Sequence, residues 1–257
     1  MKTNHLLLLA GLALALPLTQ TLAGTPGIVG SPHDFTVAKS AAYSWNVSTT
    51  AHGTTSPTNY TCQVCHTPHG ADTTSAVGQN VPLWGHYTST ATYTQFVDPS
   101  GELTAAEGSA TVPTPSGVSL ACLSCHDGTV AINQEAGTNN FLGGTAVATG
   151  SSGGLPTWAD LGTNLQATHP ISVNYPSFVF LNPTSTTLGA SAVGTWPTTT
   201  PTIASMLYNG KVECASCHDV HNQIGDAPND SHLLKIGLAQ TDSTGRGDLL
   251  CRTCHIK

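Results

Sequence analysis

Eight cysteines and four histidines form a repeated pattern in this 257-residue chain. The cysteines fall into four pairs with two residues between the members of each pair, and every pair is followed at once by a histidine. The pairs are Cys62 and Cys65, Cys122 and Cys125, Cys214 and Cys217, and Cys251 and Cys254, and the histidines are His66, His126, His218 and His255. No cysteine is left over, and Cys-x-x-Cys-His is the pattern to which c-type haem is attached.

The spacing within each motif has a mechanical reason. The two thiols can add to the two vinyl groups on one edge of a porphyrin, and one helical turn from the first cysteine to the histidine brings all three side chains to one haem. The imidazole then lies under the iron as its proximal ligand. The sequence therefore predicts four haem c groups, with the eight cysteines as covalent attachment sites and the four motif histidines as proximal ligands.

Three other uses of paired cysteines compete with haem attachment. Disulfides are common in exported chains, but they do not require a histidine after each pair. Zinc sites also use Cys-x-x-Cys units, yet they leave the four histidines unexplained. Thioredoxin-like motifs occur singly within a βαβ pattern, and no such pattern is visible here. Haem attachment is the interpretation that uses every residue of the pattern.

The second axial ligand decides what a haem does, because an iron with two histidines transfers electrons whereas an iron with an open position can catalyse. Met206 is the only methionine after the first residue, so at most one haem can have Met/His ligation. His52 and His232 lie in polar stretches and are expected at the surface. Five histidines outside the motifs are predicted distal ligands for the four irons: His33, His69, His86, His169 and His221.

Local sequence supports these distal ligands. His69 and His221 each follow a proximal histidine by three residues, so either can leave its own helical turn and reach a neighbouring haem. His169 precedes Pro170, which favours extended backbone. Five ligands for four irons leave one extra histidine. This extra histidine either contacts a haem ligand without binding iron itself or binds an iron in another molecule. His33 lies near the N-terminus and is well placed to bind an iron in another molecule.

The first residues, 1–23, are predicted to be a secretory signal peptide. A short basic start precedes an almost unbroken apolar run from Leu6 to Leu16, and cleavage is expected after the small residue Ala23. The run is shorter than the roughly 20 residues that cross a bilayer. No stable membrane span is therefore expected, and the protein should be extracellular or at the cell surface, or else periplasmic.

Residues 24–257 are predicted to form one tetrahaem domain. Charged residues make up 8% of the chain and aromatic residues 6%, so few large side chains are available for a core. Four porphyrins would supply the missing apolar volume. The expected fold is mostly irregular coil, with short helices at the haem motifs and a few short strands. One such helix is expected after Asp248, and one strand over Val173–Leu181.

The motifs also suggest two half-units, 24–144 and 145–257. The segment 62–69 (Cys-Gln-Val-Cys-His-Thr-Pro-His) resembles the segment 214–221 (Cys-Ala-Ser-Cys-His-Asp-Val-His). Each is followed by a plainer motif, so each half-unit would hold a pair of haems. Two copies are a weak repeat signal.

Several segments together resemble a known family. They are 31–34 (Ser-Pro-His-Asp), 65–70 (Cys-His-Thr-Pro-His-Gly), 82–86 (Pro-Leu-Trp-Gly-His), 125–128 (Cys-His-Asp-Gly), 169–172 (His-Pro-Ile-Ser) and 217–221 (Cys-His-Asp-Val-His). In this order the chain resembles the tetrahaem cytochromes that polymerise into extracellular nanowires, of the outer-membrane cytochrome E type. The resemblance implies bis-histidine iron throughout, stacked haems in a continuous chain, and one iron ligated across a subunit boundary.

The function expected from the motifs and the resemblance is long-range extracellular electron transfer by a homopolymer, not enzymatic catalysis. Its other partners would be redox cytochromes or extracellular electron acceptors. The formal net charge is −7 and no basic patch exists, which argues against nucleic acid as a partner. Two alternatives remain: a monomeric periplasmic electron shuttle, and a multihaem reductase with one open haem. The surplus of histidines and the scarcity of lysine and arginine disfavour the reductase.

Overall fold

The computed structural model describes residues 28, 31, 33–35, 60–99, 111–137, 155, 158–175, 181–186, 202–221, 233–235 and 249–256. The predicted signal peptide, the surface positions of His52 and His232, and the helix cap at Asp248 lie outside these residues. All eight cysteines, the four motif histidines and the five predicted distal histidines lie within them.

Helices in the described part of the chain are short and concentrated at the motifs. They are α1 (Tyr60–Gln63), α2 (Gly117–His126), α3 (Ile203–Met206), α4 (Cys214–Cys217) and α5 (Leu249–Cys254). Four of them carry motif cysteines. The longest, α2, has ten residues, and no helix among the described residues is both long and apolar enough to cross a membrane.

A small antiparallel sheet joins β1 (Val173–Asn174) to β2 (Lys211–Val212). An Asn-Gly turn precedes β2, and both of its residues have positive φ, 53° at Asn209 and 77° at Gly210. These two residue types adopt that conformation at low cost, and they favour a tight two-residue turn. The predicted strand over Val173–Leu181 is therefore a strand at its first two residues, and residues 176–180 of it lie outside the described residues.

Buried apolar side chains form separate small clusters. One contains Phe35, Val64, Ile132, Leu155 and Ala159, with Cys65 packed against it. A second contains Ile203, Met206, Leu234 and Leu250, with Cys217 and Cys254 packed against it. The clusters thus surround motif cysteines. Since Leu155 and Ala159 pack with residues of the first half, packing crosses the boundary predicted between residues 144 and 145.

Candidate functional site

Each motif lies on one helical turn. The backbone N–H of the motif histidine donates to the carbonyl of the first cysteine over 2.8 Å at His66, 3.0 Å at His218 and 2.9 Å at His255. The second motif forms the last part of α2 and ends at His126. This i to i−4 bond is the α-helical one, and it gives the two cysteines and the histidine the separation that haem attachment requires.

Local sequence shapes the turn at α4. Glu213 caps the helix, and its backbone N–H donates to the Ser216 hydroxyl over 2.9 Å. His218 then leaves the helix with extended backbone. The next segment is fixed from outside, because the Lys235 N–H donates to the Cys217 carbonyl over 2.8 Å. A one-turn helix is marginal alone, and these contacts supply the stabilisation that its length does not.

Three motif histidines lie opposite a predicted distal histidine. The ring centroids of His66 and His221 are 6.1 Å apart, with the planes 18° from parallel. Those of His33 and His126 are 6.1 Å apart at 64°. Those of His169 and His255 are 6.3 Å apart at 70°. Each pair joins segments that are distant in sequence.

These separations fit an iron between two imidazoles. A bond of about 2.0–2.1 Å from each imidazole nitrogen to a metal places the two ring centroids roughly 6.3 Å apart. Rings stacked directly on one another would lie closer. The distance alone does not distinguish such a pair, since the His33 and Phe35 rings are also 6.3 Å apart, and the histidine identity of both members is what suits an iron. The residues present therefore fit a bis-histidine haem at each of these three pairs.

Hydrogen bonds to Nδ1 orient several of these rings. Nδ1 lies 2.7 Å from the Pro82 carbonyl in His66, 2.7 Å from the Ala159 carbonyl in His126 and 2.9 Å from the Pro170 carbonyl in His169. A carbonyl accepts only, so Nδ1 carries the hydrogen in each ring. The lone pair is then on Nε2, which is the arrangement of a metal-binding histidine.

His33 is half-buried, and its imidazole is held neutral. Burial, together with the neighbouring rings of His126, His218 and His221, lowers the pKa of His33 to about 3. Its Nδ1 is buried and has no hydrogen-bond partner in the structure. A neutral imidazole is the form that binds metals. The structure places His33 beside the motif histidine His126 of its own chain.

The remaining two predicted ligands have different surroundings. His69 is exposed. His86 is 1% exposed, with Nδ1 2.7 Å from the Tyr87 carbonyl and Nε2 2.9 Å from the Ile132 carbonyl. Its Nε2 also lies 3.6 Å from the Cys125 sulfur. For His86 to bind an iron, Nε2 must turn away from the carbonyl that it faces.

The thiols show that the motifs are neighbours in chain order. Cys65 of the first motif and Cys125 of the second interact electrostatically, and burial raises the pKa of both thiols to about 12. Cys122 of the second motif hydrogen-bonds to Cys214 of the third. The third and fourth motifs meet in the second apolar cluster defined above. None of the eight cysteines, all of which lie among the described residues, forms a disulfide.

Three buried charged groups beside the motifs were missed by sequence reasoning. They are Asp127 directly after the second motif, Glu213 directly before the third, and Lys235 against the third, at 4%, 4% and 7% exposure. Because only 8% of the chain is charged, a charged residue adjacent to a motif was the one sequence feature that could have pointed to these groups. Their burial depends on tertiary contacts and has no local pattern.

A cysteine-rich zinc site requires a different arrangement. Among the described residues, no group of three or more His, Cys, Asp or Glu side chains is placed to hold a metal ion. Structural zinc takes four protein ligands, whereas haem iron is bound by the porphyrin and takes only axial ligands from the protein. Pairs of histidines suit the second case.

No family model matches this chain, and no curated protein matches it either. Function is therefore inferred from the motifs and the ring geometry.

Proposed function

We propose that this chain is an exported tetrahaem c-type cytochrome that assembles into filaments and carries electrons over long distances outside the cell. The observation that carries the proposal is the pairing of three motif histidines with a second imidazole at 6.1–6.3 Å. Two histidines fill both axial positions of an iron, which favours electron transfer over binding of a substrate. The eight cysteines would hold four haem c groups.

The protein's own residues would position the haems, exclude water from them and tune their potentials. Haem, when bound, supplies reversible one-electron chemistry. The carbonyls of Pro82, Ala159 and Pro170 keep the imidazole nitrogens oriented. The small apolar clusters beside the cysteines exclude water, which lowers the reorganisation that accompanies each transfer. Neighbouring motifs in chain order favour a continuous path from the first attachment site to the fourth.

Filament assembly is supported by the surface position of one predicted ligand. His69 follows His66 by three residues, and its side chain is exposed, whereas His33 is half-buried and His86 is buried. The other two exposed ligands, His169 and His221, already face motif histidines. An exposed imidazole on a short, ordered segment can reach the iron of a neighbouring copy. We therefore place the ligand that crosses between subunits at His69, and not at His33 as its position near the N-terminus suggests.

The alternative is a monomeric periplasmic electron shuttle, and the buried position of His86 favours it. This imidazole lies within the chain, beside Cys125, and a rotation of the ring away from the Ile132 carbonyl would free its Nε2. If His86 then reached the iron at His218, all four irons would be closed within one molecule, and His69 would be a surface residue.

Electron microscopy of haem-containing material sheared from cells tests the proposal. Long thin filaments with a repeat of four haems are expected, and His69→Ala should give discrete particles that still hold four haems by mass. His52→Ala, which changes a histidine expected at the surface, is the matched control and should still form filaments. Particles of monomer size from the unchanged protein would establish the shuttle instead, and a chain without covalent haem would overturn both.

A further inference from the structure

Glu213 is a buried carboxyl at the point where three haem-binding segments meet. It is 4% exposed and lies directly before Cys214 of the third motif. Its Oε2 accepts hydrogen bonds from two serine hydroxyls, Ser119 and Ser172, the latter over 3.0 Å. Ser119 lies on α2, which carries the second motif, and Ser172 follows His169, which faces the fourth motif.

The directions of these hydrogen bonds are determined by the backbone. The Ser119 hydroxyl accepts from the Cys214 N–H over 3.0 Å, and the Ser172 hydroxyl accepts from the Ser116 N–H over 3.0 Å. Each hydroxyl has one hydrogen, which it therefore donates to Glu213. Oε2 is an acceptor in both protonation states, so a proton on this carboxyl resides on Oε1.

Opposing effects act on the charge of Glu213. Burial is the largest, and it raises the pKa of Glu213 above its usual value. The two serine hydroxyls and the Lys211 ammonium on β2 act in the other direction. On α4, the titratable group that faces Glu213 is the Cys214 thiol, which haem attachment would convert into a neutral thioether. The groups that face it from α2 and from the segment after His169 are the two serine hydroxyls, which are neutral. A change of charge nearby would therefore shift the pKa of Glu213.

The haems nearest to Glu213 would be a closely spaced pair. The Cys122 and Cys214 side chains hydrogen-bond to each other, so the second and third attachment sites adjoin. Glu213 precedes one of these cysteines, and its partner Ser119 lies one helical turn before the other. An electron on either haem adds negative charge close to the carboxyl, and in a low-dielectric interior such charges repel strongly.

We propose that Glu213 is a proton-binding site coupled to the oxidation state of the two haem groups attached at Cys122 and Cys214. The inference rests on the proposed function, because it requires haem at both motifs. When one electron enters the pair from the one-electron donor, the Glu213 carboxylate binds one proton from water at Oε1. When the electron leaves, the O–H bond breaks and the proton returns to water, so charge at the pair is balanced in both steps.

The expected signature is a midpoint potential that depends on pH over a defined window. Between the pKa of Glu213 with the pair oxidised and its higher pKa with the pair reduced, reduction takes up protons and the potential falls as pH rises. Below the window the carboxyl is protonated in both states, and above it ionised in both. The potential is then independent of this group on either side.

Redox titration of the holoprotein by absorption spectroscopy, repeated from acidic to alkaline pH, tests the inference. Glu213→Gln keeps the shape and an oxygen that accepts from both serines, and it should lose this pH-dependent segment. Asp72→Asn is the matched control, because three local hydrogen bonds lower the pKa of Asp72 and hold it ionised. It should shift the potential without changing its dependence on pH.

A second variant keeps the inference testable if Glu213→Gln fails to fold. Ser119→Ala removes one hydrogen bond that favours the carboxylate, and alanine suits a helix interior, so the pH window should move upward. Covalent haem is counted by mass in every sample. Four haems together with the same pH dependence in Glu213→Gln as in the unchanged protein would overturn the inference alone, whereas absence of haem would overturn the proposed function.

Discussion

At the scale of single residues, the chemistry depends on which imidazole nitrogen carries the hydrogen. In His66, His126 and His169 a backbone carbonyl takes the Nδ1–H and leaves the Nε2 lone pair available. In His86 both nitrogens face carbonyl oxygens, although a neutral ring has one hydrogen. Burial lowers the pKa of His86 and disfavours the doubly protonated form that would satisfy both contacts. One nitrogen of the neutral His86 ring therefore faces a carbonyl oxygen without a hydrogen to donate, which is unfavourable.

Removing one distal histidine should open one iron. In His169→Ala the cysteines are unchanged, so four haems should remain attached, while the iron opposite His255 loses its second imidazole. We expect about one haem in four to become high-spin and to bind carbon monoxide, measured by absorption difference spectroscopy. His232→Ala serves as the control and should bind none. An unchanged spectrum in His169→Ala would show that His169 is not an iron ligand.

Buried charges should separate the potentials of the second and third haems. Asp127 accepts hydrogen bonds from Ser89 over 2.5 Å and Tyr93 over 2.6 Å, whereas the Lys235 ammonium lies 5.3 Å from the Tyr208 ring. A carboxylate opposes reduction of a nearby haem and an ammonium favours it. The Asp127 carboxylate should therefore lower the potential of the haem at the second motif, and the Lys235 ammonium should raise that of the haem at the third.

Neutral substitutions test this difference. Asp127→Asn should raise one midpoint potential and Lys235→Met should lower another, each by an energy on the order of 1 kcal/mol for partly screened charges about 10 Å apart. Spectroelectrochemical titration measures both shifts. Asp72→Asn, which changes a more exposed carboxyl, is expected to have a smaller effect. Shifts of the same sign in Asp127→Asn and Lys235→Met would contradict the assignment.

At the scale of elements, the four Cys-x-x-Cys-His motifs lie on helical turns, and those at α1 and α4 are too short to be stable alone. Formation of a first turn orders several residues for one hydrogen bond, so a four-residue helix such as α1 or α4 needs outside contacts. At α4 these come from the Glu213 cap and from the segment around Lys235. At α5, Leu250 packs into the cluster with Ile203 and Met206.

One attachment site can be removed without changing the others. Replacing Cys251 and Cys254 by alanine deletes both thiols of α5 but keeps a sequence that favours helix. The protein should then carry three covalent haems instead of four, counted by intact mass. Met206→Leu changes a buried neighbour of similar volume and should retain four. A loss of all haem in the double variant would show instead that α5 is needed for the whole fold.

At the scale of the whole molecule, the apolar clusters are small and separated by the motifs. Their members include Val77, Trp84 and Ala121 in one and Tyr93, Leu123 and Leu165 in another, and both adjoin α2. Three to five buried side chains bury little surface compared with the conformational entropy of a long irregular chain. We expect haem to join such clusters into one core.

The chain should therefore be unstable without haem. Produced without haem attachment, it should be cut rapidly by protease and should expose Trp84, which is 4% exposed in the structure. Tryptophan fluorescence and limited proteolysis, compared with the haem-containing protein, measure the two effects. Equal resistance of both forms to protease would mean that the described clusters are a sufficient core by themselves.

The amino-acid sequence by itself determined the local features. Helical geometry links the first cysteine of each motif to the histidine four residues on, so a helical turn at each motif could be predicted from spacing, although its stability depends on contacts with other segments. The Asn209–Gly210 turn follows from two residue types that tolerate positive φ. The strand predicted over Val173–Leu181 is present at Val173–Asn174, because alternation of side chains does not say where the pairing strand ends, and residues 176–180 lie outside the described residues.

Only the tertiary structure decided which groups face each other over long separations in the chain. The pairs His33 with His126, His66 with His221, and His169 with His255 depend on the paths of loops rich in small residues, and such loops have no periodic pattern from which a path can be predicted. The burial of Glu213 is of the same kind. Two serines from separate segments surround it, and neither serine has a local signal that marks it as a partner.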